Sequence, residues 1–387
     1  MKPERGLPAS DSELGRLVGK RVCFISPSAY PLLDPSFGGG WSGGAEAQFV
    51  TIGRELSRAG LDVHFVVGDF GQPPRSVIGN LTLHRAAFRY MGGSNKYILP
   101  DWLRLFSILR EIRADYHFIK VPRHLLLLLG LYCKLHGGHL IFVGQKDSDF
   151  DEELIRKHEG ALGWWLCRNG MRFVSAVIAQ TETQRTGFRQ TYGKDSRVVR
   201  NVLTLEPSDD VHKEEYILWV GNSSADKQSH LVPDLARALP GVQFRMIMSP
   251  GKSGDADAYI REQARGIPNL HYLGSIPFGE IAVHYKHARI FISTSRCEGF
   301  PNTFLQSWQY RTPVVSLMID PDNAIARYGL GRVSGSIDKM VEDIRELSAD
   351  LAQCEELGAN ATRYAYRFHS LDAAVESYLR LLKGLEK

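Results

Sequence analysis

No cysteine pair in this chain is spaced to hold a metal. The five cysteines, Cys23, Cys133, Cys167, Cys297 and Cys354, are scattered over 387 residues, with no Cys-x-x-Cys and no histidine pair of zinc-site spacing. That argues against a zinc site and for a reducing compartment. Long apolar runs are scarce as well. The most apolar, Leu125 to Tyr132, falls far short of the ~20 residues a spanning helix needs and reads as a buried crossover helix. The opening MKPERGLPASDSELGRLVGK has no apolar core, so neither a signal peptide nor a membrane anchor is expected there. No Gly-x-Gly-x-x-Gly follows the first predicted strand, which argues against a dinucleotide-dependent oxidoreductase. No basic stripe interleaved with aromatics marks a nucleic-acid binder.

What is present is an ordinary globular composition, 43% hydrophobic and 23% charged, on a length that suits two domains of ~100–200 residues each. The net charge of +4 hides an asymmetry. Residues 1–200 hold 27 Lys and Arg against 19 Asp and Glu, or +8, and the remainder holds 20 against 24, or −4. A basic first half suits an anionic lipid surface or an anionic acceptor; scattered solvated charge is the plainer reading.

Short apolar runs alternate with helical patterns throughout. Strands are predicted at Arg21–Ser26, Asp62–Val67, Leu81–Arg85, Tyr116–Lys120, His139–Val143 and Ala176–Ala179, with helices near 99–113, 123–135, 160–172 and 181–191. This βα alternation implies a parallel sheet covered on both faces. The pattern lapses at Glu206-Pro207-Ser208-Asp209-Asp210, then resumes at Tyr216–Gly221. Further strands are predicted at Gln243–Met248, His271–Leu273, Arg289–Ser293 and Pro313–Leu317, and helices near 227–238, 254–265, 278–287 and 302–310. The fold class is therefore α/β, with two doubly wound domains, and ligands are expected at strand carboxyl ends. Trp164, Trp165, Trp308 and Tyr310 read as packing residues, and His117, His136 and His139 as structural histidines.

Five glycines crowd Gly38-Gly39-Gly40-Trp41-Ser42-Gly43-Gly44. A floppy surface loop would explain them, but Phe49, Ile52 and Leu56 recur at helical spacing directly afterwards. The cluster therefore leads into a helix N-terminus, where unpaired N–H groups suit an anion such as phosphate. A second such turn lies at Ser293–Trp308, which leaves a strand through Gly299-Phe300-Pro301 and enters a helix near Asn302. Glu298 and Gln306 there can bond hydroxyls, so a polyol joined to phosphate fits.

Taken in order, Gly43-Gly44-Ala45-Glu46, the Tyr216–Lys227 segment, Tyr272-Leu273-Gly274 and Glu298-Gly299-Phe300-Pro301-Asn302 resemble the family 4 retaining glycosyltransferases. The likeness spans about residues 20 to 380, and its most specific part is the Glu298 stretch followed by Thr312-Pro313-Val314-Val315. The resemblance implies a GT-B fold, with two Rossmann-like domains facing a central cleft. Residues 1–205 would form the acceptor-side domain and 206–369 the donor domain, with a closing helix at about 370–387 packing back on the first. It also implies sugar transfer from a nucleotide sugar without a required metal. Glu298 would contact the sugar hydroxyls, Gly299, Phe300, Pro301 and Asn302 would surround sugar and phosphate, and Lys227 would stabilise the leaving diphosphate. Gly43 and Gly44 would close on that diphosphate from the first domain, with Glu46 on the acceptor side.

Two positions depart from the family pattern. Asn222 follows Gly221 where the family has arginine, and Gln306 stands where a second glutamate binds ribose. An amide still bonds two hydroxyls, so ribose contact survives better than leaving-group charge stabilisation. The family's first-domain histidine is absent from Gly144-Gln145-Lys146-Asp147-Ser148-Asp149. Lys146, Asp147 and Asp149 are placed near the sugar or acceptor instead, and the Asp-x-Asp is read as coincidence rather than a manganese site. The expectation is a cytoplasmic hexosyltransferase using a UDP- or GDP-sugar, with no cofactor and no metal. Its acceptor would be a glycan or lipid-linked glycan of the cell surface, met through peripheral contact with an anionic membrane at its inner face. The rivals are a non-catalytic sugar or nucleotide binder of the same fold, a nucleotide-sugar epimerase or hydrolase, and, last, an oxidoreductase.

Overall fold

The computed structural model describes residues 16–34, 36–37, 43–89, 99–120, 125–206, 208, 211–249 and 255–386. The chain forms two compact units, Met1–Asn201 with Leu371–Lys387, and Val202–Ser370. The division falls ahead of the polar stretch at Glu206. Val202 is buried, Leu203 N–H donates to His369 O, and Gln309 and Tyr310 donate to the carbonyls of Leu205 and Glu206. The segment just before the polar stretch is thus fastened to the second unit.

The first unit is built on eight strands, β1 (Arg21–Ile25), β2 (Asp62–Asp69), β3 (Arg75–Ile78), β4 (Leu81–Arg89), β5 (Tyr116–Ile119), β6 (His139–Val143), β7 (Ala176–Ala179) and β8 (Arg197–Val198). Their order is β3-β4-β2-β1-β5-β6-β7-β8, with only β3 antiparallel to its neighbour. The central strands are buried nearly end to end, as expected where helices cover both faces. Phe24 of β1 stacks between Phe65 and Phe118 at 5.0 and 4.9 Å. The helix Gly44–Arg58 lays Phe49, Ile52 and Leu56 into this core. The terminal helix Leu371–Leu385 also belongs here: Tyr378 meets Phe118, and Tyr116 Oη donates to Glu386, which pairs with Lys20.

The second unit holds six parallel strands, β9 (Tyr216–Asn222), β10 (Gln243–Ser249), β11 (Leu270–Gly274), β12 (Ile290–Ser293), β13 (Val314–Ser316) and β14 (Gly331–Val333), in the order β11-β10-β9-β12-β13-β14. Sequence reading missed β3, β8 and β14, all short sheet-edge strands without a continuous apolar run. Gly331 of β14 lies so close to Val314 that a Cβ would fall 1.8 Å from its carbonyl oxygen.

Two packing expectations need correction. Trp164, Trp308 and Tyr310 are buried, but Trp165 is exposed. The helix Leu126–His136 buries Leu126, Leu129 and Tyr132 yet leaves Leu128, Leu131 and Leu135 exposed. A crossover helix has one face on the sheet and one outward, and this one is apolar on both.

Candidate functional site

In the second unit, β10 and β11 extend the sheet to one side of β9, while β13 and β14 extend it beyond β12. Chain connections diverge between β9 and β12, so a crevice opens at the carboxyl ends of those two strands. The loop after β9 runs Ser223 to Gln228 and contains a short 3-10 turn, Ala225–Lys227. The loop after β12 runs Thr294 to Pro301 and enters the helix Asn302–Gln309.

The two loops are tied together. Trp219 Nε1 donates to Thr294 Oγ1 at 3.0 Å, and that hydroxyl donates to the Lys227 carbonyl at 2.6 Å. Arg296 N–H donates to Asp226 O, and the Arg296 side chain pairs with Asp226. Across this seam Lys227 Nζ meets Glu298 Oε1 at 2.5 Å, both side chains mostly buried. The result is a partly desolvated cation beside a carboxylate, the one suited to phosphate oxygens and the other to hydroxyl donors.

The surroundings hold that pair in place. Gly221 is required by packing, since a Cβ there would fall 2.7 Å from the Trp219 indole. Asn222 uses Oδ1 to accept Ser224 N–H, so its side chain organises the loop. Phe300 is buried against Trp308 and His369, which pins the Gly-Phe-Pro turn to the core. No side chain caps the helix that begins at Asn302, and the positive end of its dipole lies at the carboxyl end of β12. Gln306 lies one turn further on and is buried. Of the predicted donor residues, the structure brings Gly221, Asn222, Lys227, Glu298, Gly299, Phe300, Pro301, Asn302 and Gln306 onto these two loops and one helix.

The first unit has its own divergence point, between β1 and β5. Gly43 precedes the helix Gly44–Arg58, and its N–H donates to Glu46 Oε2 at 3.0 Å. Glu46, expected on the acceptor side, is thus engaged in capping. Gly38, Gly39, Gly40, Trp41 and Ser42 lie outside the described residues. Sequence reading missed Lys120, which follows β5 and is buried. Its Nζ donates to Ala45 O at 2.8 Å and lies 4.1 Å from the Phe49 ring centroid. Burial pushes its pKa down to about 8, against the pull of Glu46. The available signal was a lone cation ending an apolar strand.

At β6 the loop Gly144-Gln145-Lys146 leads into a 3-10 turn, Asp147–Phe150. Asp149 is buried and accepts the N–H groups of Gln145 and Lys146 at 2.7 and 3.0 Å. Its carboxylate therefore shapes the turn. Asp147 instead lines a cavity of about 690 Å³ with Phe150, Glu152, Glu182, Thr183 and Gln190 among others. At the next helix Thr181 Oγ1 accepts the Gln184 N–H at 3.0 Å, while Gln184 Oε1 accepts the Gln180 N–H at 2.8 Å. His117 is buried, and burial pushes its pKa to about 4, in keeping with a structural histidine. Among the described residues, no group of three His, Cys, Asp or Glu side chains is placed to hold a metal.

Residues 42–206 match the family model described as Glycosyltransferase Family 4, and residues 214–350 match Glycosyl transferases group 1. None of the curated proteins matches the chain in sequence. Among solved structures, a sucrose-phosphate synthase from Thermosynechococcus elongatus superposes with a TM-score of 0.73 at 15% identity, over 95% of this chain and 99% of that one. HepE from Anabaena, in complex with UDP and glucose, gives 0.69 at 15% identity over 94% and 100%. TarM from S. aureus, bound to Fondaparinux, alpha-GlcNAc-glycerol and UDP, gives 0.71 at 12% identity over 94% and 99%. At these identities the likeness establishes the fold, which is GT-B.

Proposed function

Because the chain belongs to the family 4 glycosyltransferases, we propose that it moves a hexosyl unit from a UDP- or GDP-sugar to a glycan or lipid-linked acceptor, with retention of anomeric configuration. The observation that carries this reading is the Lys227–Glu298 pair on two tied loops at the second unit's strand ends. A diphosphate leaving group gathers negative charge as the glycosidic bond breaks. Lys227 meets that charge directly, and the dipole of the helix that begins at Asn302 adds its positive end. Glu298 accepts hydrogen bonds from the sugar hydroxyls, and Gln306 bonds the ribose. With the charge handled by Lys227 and backbone dipoles, the reading requires no metal. That the HepE and TarM structures contain UDP supports a nucleoside diphosphate at such a site.

On the first unit the Gly43 N–H is taken by Glu46, so the anion is assigned to the helix N-terminus at Gly44, and Lys146 and Asp147 are assigned to the acceptor side. The proposed setting is surface-polysaccharide assembly, by a cytoplasmic protein in peripheral contact with the inner face of the cell membrane. Among the described residues no helix is long and apolar enough to cross a membrane.

The test is turnover. The protein is incubated with UDP- and GDP-hexoses and a panel of glycan acceptors, with and without chelator, and the product linkage is read by NMR. A product keeping the donor's anomeric configuration and insensitive to chelator is expected; an inverted product or chelator-dependent turnover contradicts the reading. Asn222, which occupies the family's arginine position and is bonded within its own loop, favours one second reading: a donor-binding protein without turnover. Donor binding with no product across the whole panel would select it.

A further inference from the structure

Two neighbouring helices of the first unit carry apolar side chains that the core does not use. On Leu126–His136 the exposed residues are Leu128 (41%), Leu131 (39%) and Leu135 (79%). Steps of three and four place them on one stripe. On Glu152–Gly170, Leu162 (71%) and Trp165 (56%) follow the same spacing. The helices meet closely, since a Cβ on Gly170 would fall 2.3 Å from Leu127 N, and one on Gly130 would fall 2.4 Å from Phe173 Cβ. Single exposed apolar residues are ordinary; five large ones on two packed helices mark an interaction surface.

Charge indicates what covers this surface. Residues 126–136 and 161–173 contain Lys134, Arg168 and Arg172 and no Asp or Glu, and all three cations are exposed. Such a face would repel a second copy of itself in a two-fold pair. It fits a phospholipid surface, where leucines enter the acyl boundary, tryptophan rests at headgroup depth and cations meet lipid phosphate.

We propose that the outer face of these two helices, centred on Leu131, Leu135 and Trp165, docks the protein on an anionic bilayer. This rests on the membrane contact in the reading above and gives it a surface. Vesicle binding is scored without donor or turnover, so failure here leaves the transferase reading standing.

The full chain is sedimented with phosphatidylcholine vesicles, with and without phosphatidylglycerol, at low salt. The variants are the double Leu131→Ser/Leu135→Ser, Trp165→Ser, and a triple replacing Lys134, Arg168 and Arg172 by Gln. Exposed positions should tolerate these changes, and unaltered thermal melts verify that. Wild type should sediment only with phosphatidylglycerol present. The leucine double should lose about tenfold or more in partitioning, and each neutralised cation about fivefold. Added vesicles should blue-shift the tryptophan emission less in Trp165→Ser than in wild type. Absence of wild-type binding, or variants that sediment like wild type, overturns the proposal. So does size-exclusion evidence of a lipid-free dimer that the leucine double dissociates, which would assign the face to a second copy.

Discussion

In the proposed transfer, Lys227 is the residue that meets the leaving-group charge. Its ammonium is mostly buried and paired with Glu298, so replacing it removes the cation placed to meet leaving-group charge. Lys227→Met should cut kcat/KM by about 10²–10³, the usual cost of one preorganised electrostatic contact, and should lower the melt, because the mostly buried Glu298 loses its partner. Lys120 is a different kind of cation. Its pKa is lowered from the ordinary 10.5 to about 8 by burial, so the folded state resists its charge. Below pH 8 that cost is fully present, and between about 8 and 10.5 the unfolded chain holds more protons, so stability rises with pH. Relative to Lys120→Met, wild type should gain up to about 3 kcal/mol across that window, read by denaturant unfolding at several pH values. A flat difference would mean Lys120 is not desolvated. Glu298 was legible from the turn-to-helix stretch around it, and Lys227 only through the family resemblance of the Tyr216–Lys227 segment. Lys120 stayed hidden because its meaning depends on Ala45 and Phe49, which only folding brings to it.

At the scale of elements, the site exists because two loops are stitched. Thr294 is the stitch, accepting from Trp219 and donating to the Lys227 carbonyl. Thr294→Val keeps the shape and removes both bonds, leaving a buried indole N–H and a carbonyl unpaired at a cost of about 1–3 kcal/mol. Donor affinity should fall with it, because Lys227 loses its fixed place; unchanged affinity on titration would show that the seam is not needed. Most elements were legible from alternation of apolar runs and helical periods. The strands β3, β8 and β14 were not, because edge strands need no continuous apolar run. The outward leucines of Leu126–His136 were misread for a related reason: an all-apolar helix shows no periodic contrast to separate core from surface.

For the whole molecule, the chain returns to its first unit at the end, with Tyr378 against Phe118 and Glu386 bonded to Tyr116 and Lys20. A chain ending at Ser370 should therefore melt earlier in its first unit, with an added low-temperature transition in calorimetry and the second unit's transition unchanged; one unaltered melt would contradict that. The two-domain plan was readable because the βα series starts twice, and the second start at Tyr216 survives in β9. The central claim is that the second unit holds a nucleotide sugar through Lys227 and Glu298. It is tested most directly by thermal stabilisation across UDP-, GDP-, ADP- and dTDP-sugars, each repeated with Glu298→Ala. A ligand at a hundredfold its Kd stabilises by roughly 2.7 kcal/mol, so the account predicts a clear shift with a UDP- or GDP-sugar that weakens in the variant. No shift with any donor, or an equal shift in Glu298→Ala, would contradict it.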